Sequence, residues 1–295
     1  MNANSASRFS LLKAIGLFMG ASFFAYLLSI AIHESGHYLA SSLLGVPERG
    51  TVLNPFGANY NIYLGDSSVA LGTPLRRAFS GASGPLFDLL IAVTLSLLLW
   101  RKRSPALLPF LLLGSYALLH ESVAMIMAVI GDSSSGDWIS VMAVGVPPGV
   151  VVLLAAIMLA AACIWILQIL PLTGINPQDL FWRKLVVFLA GIPLLFLCAV
   201  VYQTLFGTDI YVPTFGGVMM RMGLLKGKII FMAASTVLTL IVTPLHKPLF
   251  PWLDKLAHTP PAQVRWRDML VAIGLGVTIT IIQLVFFNDP TAVVR

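Results

Sequence analysis

The chain carries too little charge to form a water-soluble surface. Only 10% of its 295 residues are Asp, Glu, Lys or Arg, while 58% are hydrophobic. Soluble globular proteins carry about 25% charged residues, so we expect a multi-pass integral membrane protein with one embedded domain. The few basic residues form short clusters between apolar runs. That pattern is typical of membrane topology and of contact with lipid headgroups, and we predict no nucleic-acid partner.

Cysteine is equally scarce. The two cysteines, Cys163 and Cys198, lie inside apolar runs and have no metal-ligand spacing. We interpret them as small buried hydrophobic residues, which carry no information about redox compartment.

Seven apolar runs are long enough to cross a bilayer, which takes about 20 residues each. The first is longer than the hydrophobic region of a signal peptide and continues into a segment with His and Glu, so we expect it to remain in the mature protein. We predict an all-α polytopic fold with about seven transmembrane helices and a short β-like segment between the first and second. The runs cover approximately residues 11–44, 78–100, 106–130, 146–172, 185–205, 229–245 and 269–287.

The β-like segment lies in the long polar connection after the first run. Residues 51–64 are rich in β-branched and aromatic types and are interrupted by Asn-Pro and Gly turn signals, which predicts a short hairpin or a membrane-dipping loop. The distribution of Lys and Arg favours a cytoplasmic N-terminus, which would place the end of the first run at the opposite face.

The ionisable residues inside the apolar runs are the most informative. Each is costly in a bilayer unless it is paired, bound to a metal or hydrated. In the first run they form His33-Glu34-Ser35-Gly36-His37, an HExxH motif; the others are Asp88, His120 and Glu121.

The HExxH motif predicts a zinc hydrolase. Residues four apart share one helix face, so His33 and His37 can bind one metal ion. Glu34 is offset from them and is placed to act as general base toward a water molecule. A catalytic zinc usually has a third protein ligand, for which several acidic residues compete.

Further residues resemble the site-2 protease-like intramembrane metalloproteases. The motif has Gly36 before its second histidine, and Ser83-Gly84-Pro85-Leu86-Phe87-Asp88 is similar to the Gly-Pro-x-x-Asn segment that opens the second span in that family, with Asp88 in place of Asn. A later aspartate completes the zinc site in the family. The resemblance implies Asp137, in Gly136-Asp137-Trp138, as this ligand. Asp179, Asp132 and Glu121 remain alternatives.

The resemblance implies a Zn²⁺-dependent intramembrane endopeptidase that cleaves membrane-anchored proteins. It divides the chain into a tail at residues 1–10, a metalloprotease-like membrane core at 11–145, and additional helices of unassigned role at 146–295. His33, His37 and Asp137 are the expected metal ligands and Glu34 the catalytic residue. The alternative is a non-catalytic transporter, or an inactive protease-like scaffold or regulator.

Two intramembrane polar groups have open interpretations. His120-Glu121 repeats the start of the motif but lacks a second histidine, so it either supports the metal ligands or forms a paired polar group between helices. Asp88 either orients a ligand or substrate or caps a polar break in its helix.

Overall fold

The structure is a computed structural model that describes residues 3–46, 48–56, 59–63, 71–131, 136–176, 178–206, 210–213, 219–222, 224–257 and 262–287. It confirms an all-α, multi-pass membrane protein. Within the described residues, six helices are long and apolar enough to cross a membrane, and a bent helix pair provides a seventh crossing if it counts as one span. Many large hydrophobic side chains on these helices are exposed, as expected of surfaces that face lipid.

The elements follow one another with short connections. In chain order they are α1 (Ala3–Leu43), β1 (Glu48–Val52), β2 (Tyr60–Tyr63), α2 (Pro74–Asp88), α3 (Thr94–Leu99), α4 (Leu108–Val129), α5 (Gly136–Met142), α6 (Pro148–Ile169), α7 (Phe181–Leu189), α8 (Ile192–Phe206), β3 (Ile210–Pro213), β4 (Met219–Met222), α9 (Leu224–Ala257) and α10 (Trp266–Ile282). A π-helical turn, Leu89–Val93, joins α2 to α3 within one span. A second π-helical turn, Gln283–Phe287, extends α10.

The apolar runs coincide with the long helices, but several helix ends and the course of one span differ from the expectation. α1 begins at Ala3, so most of the stretch expected to be an N-terminal tail continues the first helix. The run at 185–205 is bent by 44° between α7 and α8. Pro193 explains the break, because its ring has no N–H and would clash with the carbonyl four residues earlier in a continuous helix.

The second span does not open at Gly84-Pro85, and that expectation is wrong. α2 begins ten residues earlier, at Pro74, where the hydroxyl of Thr73 caps the helix by accepting from the backbone N–H of Arg76. A capping threonine followed by proline at the first helical position is a strong start signal. Pro85 therefore lies inside the helix, just before the π-helical turn.

The polar connection after α1 forms the predicted hairpin. Strands β1 and β2 pair antiparallel, with Thr51 opposite Asn61 and Val52 opposite Tyr60; Leu64 lies outside the described residues. Residues from the C-terminal half of the chain hold this hairpin in place. Gln203 Nε2 donates to the carbonyl of Phe56 over 3.1 Å, and the N–H of Leu53 donates to the carbonyl of Phe287 over 2.9 Å. The ends of α1, α8 and the last helix thus share one face, called here the hairpin face.

Helices α1 and α4 form the centre of the bundle. Most of their residues are buried, whereas the other membrane-length helices are mostly exposed. α1 packs closely on α10 because small residues face each other. A Cβ on Gly20 would lie within 2.6 Å of the backbone of Ala272 and Ile273, and one on Gly276 would lie 2.9 Å from the carbonyl of Gly20. Such small-residue contacts are typical of helix pairs in membranes.

This contact predicts the effect of a single methyl group. Gly20→Ala should force α1 and α10 apart and lower the free energy of unfolding by about 1–3 kcal/mol, the usual cost of overpacking. Equilibrium unfolding in mixed micelles measures the change. Gly274→Ala, on α10 itself, is the matched control, because a Cβ there meets no atom within 4 Å. Equal stability of the two variants would contradict the close packing.

Candidate metal centre

The HExxH motif lies near the hairpin-face end of α1, with its three functional side chains buried. His33 is 7% exposed, Glu34 7% and His37 8%. His37 is six residues from the end of the helix at Leu43, which corresponds to about 9 Å along the axis. The motif is thus buried in protein yet close to one end of its helix.

Three side-chain atoms converge beside this stretch of α1. The Nε2 atoms of His33 and His37 are 3.1 Å apart, and Oδ2 of Asp137 lies 3.2 Å from the first and 3.3 Å from the second. Ligand atoms around a tetrahedral zinc with bonds of 2.0–2.1 Å are about 3.3 Å apart. The triangle therefore has the size of three ligands on one such ion.

Hydrogen bonds on the far side of each ring determine which nitrogen carries the proton. Nδ1 of His37 lies 2.8 Å from the carbonyl oxygen of Ser80, and because a carbonyl can only accept, this nitrogen must donate. Nδ1 of His33 lies 3.0 Å from Oε1 of Glu121 and donates to that carboxylate. In neutral rings both Nε2 atoms then carry lone pairs that face each other and Asp137.

Three acceptors at this separation repel one another unless a cation lies between them. Metal-binding histidines characteristically donate their second nitrogen to a carbonyl or a carboxylate, as these two do. The donor set and its hydrogen bonds therefore fit a zinc ion held by His33, His37 and Asp137.

Glycines let the three helices approach this closely. A Cβ on Gly36 would lie 2.6 Å from the carbonyl oxygen of Ser83, and one on Gly81 would lie 2.8 Å from the carbonyl oxygen of Asp137. A Cβ on Gly84 would overlap the imidazole of His37. The glycine inside the HExxH motif thus has a packing function, since it brings α1 against α2.

Glu121 connects two of the three converging groups. Its side chain is fully buried on α4. One oxygen accepts from His33, and the other accepts from Nε1 of Trp138 over 2.9 Å. Trp138 follows Asp137 on α5. The Glu121 carboxylate therefore orients both His33 and the short helix that carries Asp137. The structure thus brings this glutamate into contact with the candidate ligand His33, in a polar pair between α1 and α4.

Glu34 lies outside the triangle and contacts the hairpin instead. Nδ2 of Asn61 donates to Oε2 of Glu34 over 3.3 Å and to its backbone carbonyl over 3.1 Å. Asn61 is itself held by the hydroxyl of Thr51 on the paired strand. The hairpin therefore orients the carboxylate that the motif assigns to acid–base chemistry.

The rival third ligands are placed differently. Asp179 accepts from the backbone N–H of Asn176 over 2.7 Å and pairs with Arg183 over 3.5 Å, so it stabilises the turn before α7. Asp132 lies outside the described residues. Glu121 faces Nδ1 of His33, on the far side of the ring from the triangle. Among the described acidic residues, Asp137 is the one with an oxygen close to the Nε2 atoms of both histidines.

Sequence reasoning missed the contributions of Ser80, Gly81 and Asn61. The carbonyl of Ser80 has no sequence signature, because any residue supplies one. Asn61 carried a weak signal, as an amide side chain within a segment of β-branched and aromatic residues.

No protein-family model, curated protein or solved structure matches this chain. The likeness to site-2 proteases therefore depends on the motif residues alone.

The two aspartates provide a direct test of the ligand set. Asp137→Asn should sharply weaken zinc binding, because an amide oxygen lacks the charge that holds the third position. Asp179→Asn changes the same chemical group at a site away from the triangle and should leave zinc content unchanged. Metal analysis of the purified proteins measures both, and loss of zinc in Asp179→Asn alone would reverse the assignment.

Proposed function

We propose that this chain is a zinc-dependent intramembrane endopeptidase, similar in its chemistry to site-2 proteases. The observation that carries the proposal is the triangle of lone pairs from His33, His37 and Asp137, with a separate buried carboxylate, Glu34, on the same helix. Two histidines and one carboxylate leave a fourth position open, as catalytic zinc sites do. Zinc bound there would supply the Lewis acidity that activates a water molecule for attack on a peptide carbonyl.

Glu34 carries the proton transfers. It removes a proton from the attacking water as the oxygen bonds to the peptide carbonyl carbon. It then gives this proton to the departing nitrogen as the C–N bond breaks, so the products are a carboxylic acid and an amine. Asn61 holds one oxygen of Glu34 and thereby fixes the direction of the carboxylate. The hydrogen bonds of His33 and His37 keep both Nε2 atoms unprotonated throughout.

Water reaches this chemistry from the hairpin face. The side chain of Asp137 is 36% exposed, unlike the two histidines, so the open side of the triangle lies toward it. The position of the motif close to the end of α1 shortens the path from the membrane surface. A site deeper in the bundle would lack the water that hydrolysis consumes.

The substrate we propose is a membrane-anchored protein with an extended segment at the site. A helical substrate must unwind first, because its carbonyls accept intrahelical hydrogen bonds. The β1–β2 hairpin contacts the motif through Asn61 and offers backbone groups to which an extended peptide can add as a strand. This gives the β-like segment a function in substrate binding.

Replacing Glu34 separates catalysis from metal binding. Glu34→Gln should abolish cleavage of a membrane-anchored substrate in detergent or liposomes, because the amide cannot take a proton from water. Zinc content should remain that of the wild type, since Glu34 is outside the ligand triangle. A wild-type protein without bound zinc, or a fully active Glu34→Gln variant, would refute the proposal and favour a non-catalytic transporter, scaffold or regulator.

Replacing Asn61 tests the orientation of the base. Asn61→Ala should lower kcat by about 10–100-fold with a smaller change in KM, because a misdirected general base loses part of a contribution of about 10²–10⁴. Zinc content should not change. Asn176→Ala removes an amide far from the motif and serves as the control. A rise in KM with unchanged kcat would assign Asn61 to substrate binding instead.

A further inference from the structure

A second group of potential metal ligands lies behind His33, on the side away from the triangle. One ligand atom from each of His33, Asp88, His120 and Glu121 lies within 4.8 Å of the others. They come from three helices, α1, α2 and α4. His33 presents its Nδ1–H to Glu121 on this side, so it is a hydrogen-bond donor here and three potential ligands remain.

The two carboxylates of this group lack a lysine or arginine partner among the described residues. Asp88 and Glu121 are both fully buried. Asp88 is contacted at 2.9 and 2.8 Å by the hydroxyl of Ser29, which has a single proton to donate. Within the described part of the chain, no lysine or arginine lies within 4.0 Å of either carboxylate. Lys228 lies instead over the ring of Phe196, 5.9 Å from its centroid.

A single zinc ion does not balance the charge of the region. Its two positive charges face four carboxylates, those of Glu34, Asp88, Glu121 and Asp137, so two of the four must be either protonated or balanced by another cation. Uncompensated charge is very costly in the membrane interior. One further divalent cation would make the group neutral.

His120 provides evidence for a ligand that does not depend on the charge count. Its Nδ1 is buried, has no hydrogen-bond partner among the described residues, and lies 3.5 Å from Oε1 of Glu121. Beyond the ring is an apolar cavity of about 350 Å³, whose lining includes Tyr26, Phe196 and Phe231. The hydroxyl groups in this wall, those of Tyr26 and Ser235, do not hydrogen-bond to the nitrogen, which remains available as a ligand.

We propose that Asp88, His120 and Glu121 form a second site for a divalent transition-metal ion. Two carboxylates and one imidazole suit Zn²⁺ and Mn²⁺, because carboxylate oxygens are ligands for both and imidazole favours zinc. Glu121 would connect this site to the first one, since the oxygen that faces His120 also accepts from His33. The second ion would stabilise the orientation of His33 in the first site.

Metal stoichiometry tests this second site without a substrate. The full-length protein is purified in detergent, stripped with a chelator, saturated with Zn²⁺, dialysed and analysed by mass spectrometry. We expect about two equivalents in the wild type and about one in Asp88→Asn, His120→Phe and His37→Leu. The double variant His37→Leu/His120→Phe should retain almost none, and Asp179→Asn, the matched carboxylate control, should retain both.

The outcomes separate the two sites. A wild-type protein that saturates at one equivalent, which folded His37→Leu loses, overturns the second site; one equivalent that His37→Leu keeps and His120→Phe loses overturns the first site instead. Unchanged stoichiometry in folded Asp88→Asn and His120→Phe overturns it as well, and would assign a proton to one of the buried carboxylates. Loss of metal in His37→Leu concerns the first site alone. Titration with Mn²⁺, followed by electron paramagnetic resonance, should show a bound ion that His120→Phe removes and His37→Leu retains.

Discussion

The mutual repulsion of three lone pairs is the constraint on which the site depends. His33, His37 and Asp137 point electron-rich atoms at one another across 3.1–3.3 Å. The carbonyl of Ser80 and the carboxylate of Glu121 prevent either ring from turning its protonated nitrogen inward. A positive charge between the three atoms relieves the repulsion, which is why the arrangement supports a metal site. Without a metal ion, one imidazole ring would have to be protonated to relieve the repulsion.

Close packing of α1, α2 and α5 brings these three atoms together. Asp137 reaches the histidines because α5, a helix of seven residues, packs against α2 at Gly81. α2 in turn packs against α1 where Gly36 and Gly84 meet. Glycine permits these approaches by removing the side chain that would separate the helices. Glycines therefore lie at the helix contacts where the polar side chains of the site converge.

Residues 146–295 carry no motif, but they contribute to the geometry of the core. The side-chain amide of Gln203 on α8 donates to the backbone of the β1–β2 hairpin, and the backbone carbonyl of Phe287 in the last turn accepts from it. Gln283 donates to the carbonyl of Leu27, six residues before the motif on α1. The hairpin in turn orients Glu34 through Asn61. The C-terminal helices thus fix the position of the hairpin and support the helix that carries the motif.

The sequence by itself determined the membrane fold, the helical spans and the position of His33 and His37 on one helix face, and it narrowed the polar connection to a hairpin or a membrane-dipping loop. Those features depend on local properties, namely hydropathy, turn residues and the four-residue spacing of a helix. Only the tertiary structure brought Asp137, and not Asp179, beside the two histidines, because both aspartates lie in or next to ordinary polar connections and differ only in where those segments pack. It also decided the helical start at Pro74 and the grouping of Asp88, His120 and Glu121 behind His33. Contacts between residues about 30 to 100 positions apart leave no periodic pattern in the sequence, so the partners of Glu34 and His33 became visible only once the helices were packed.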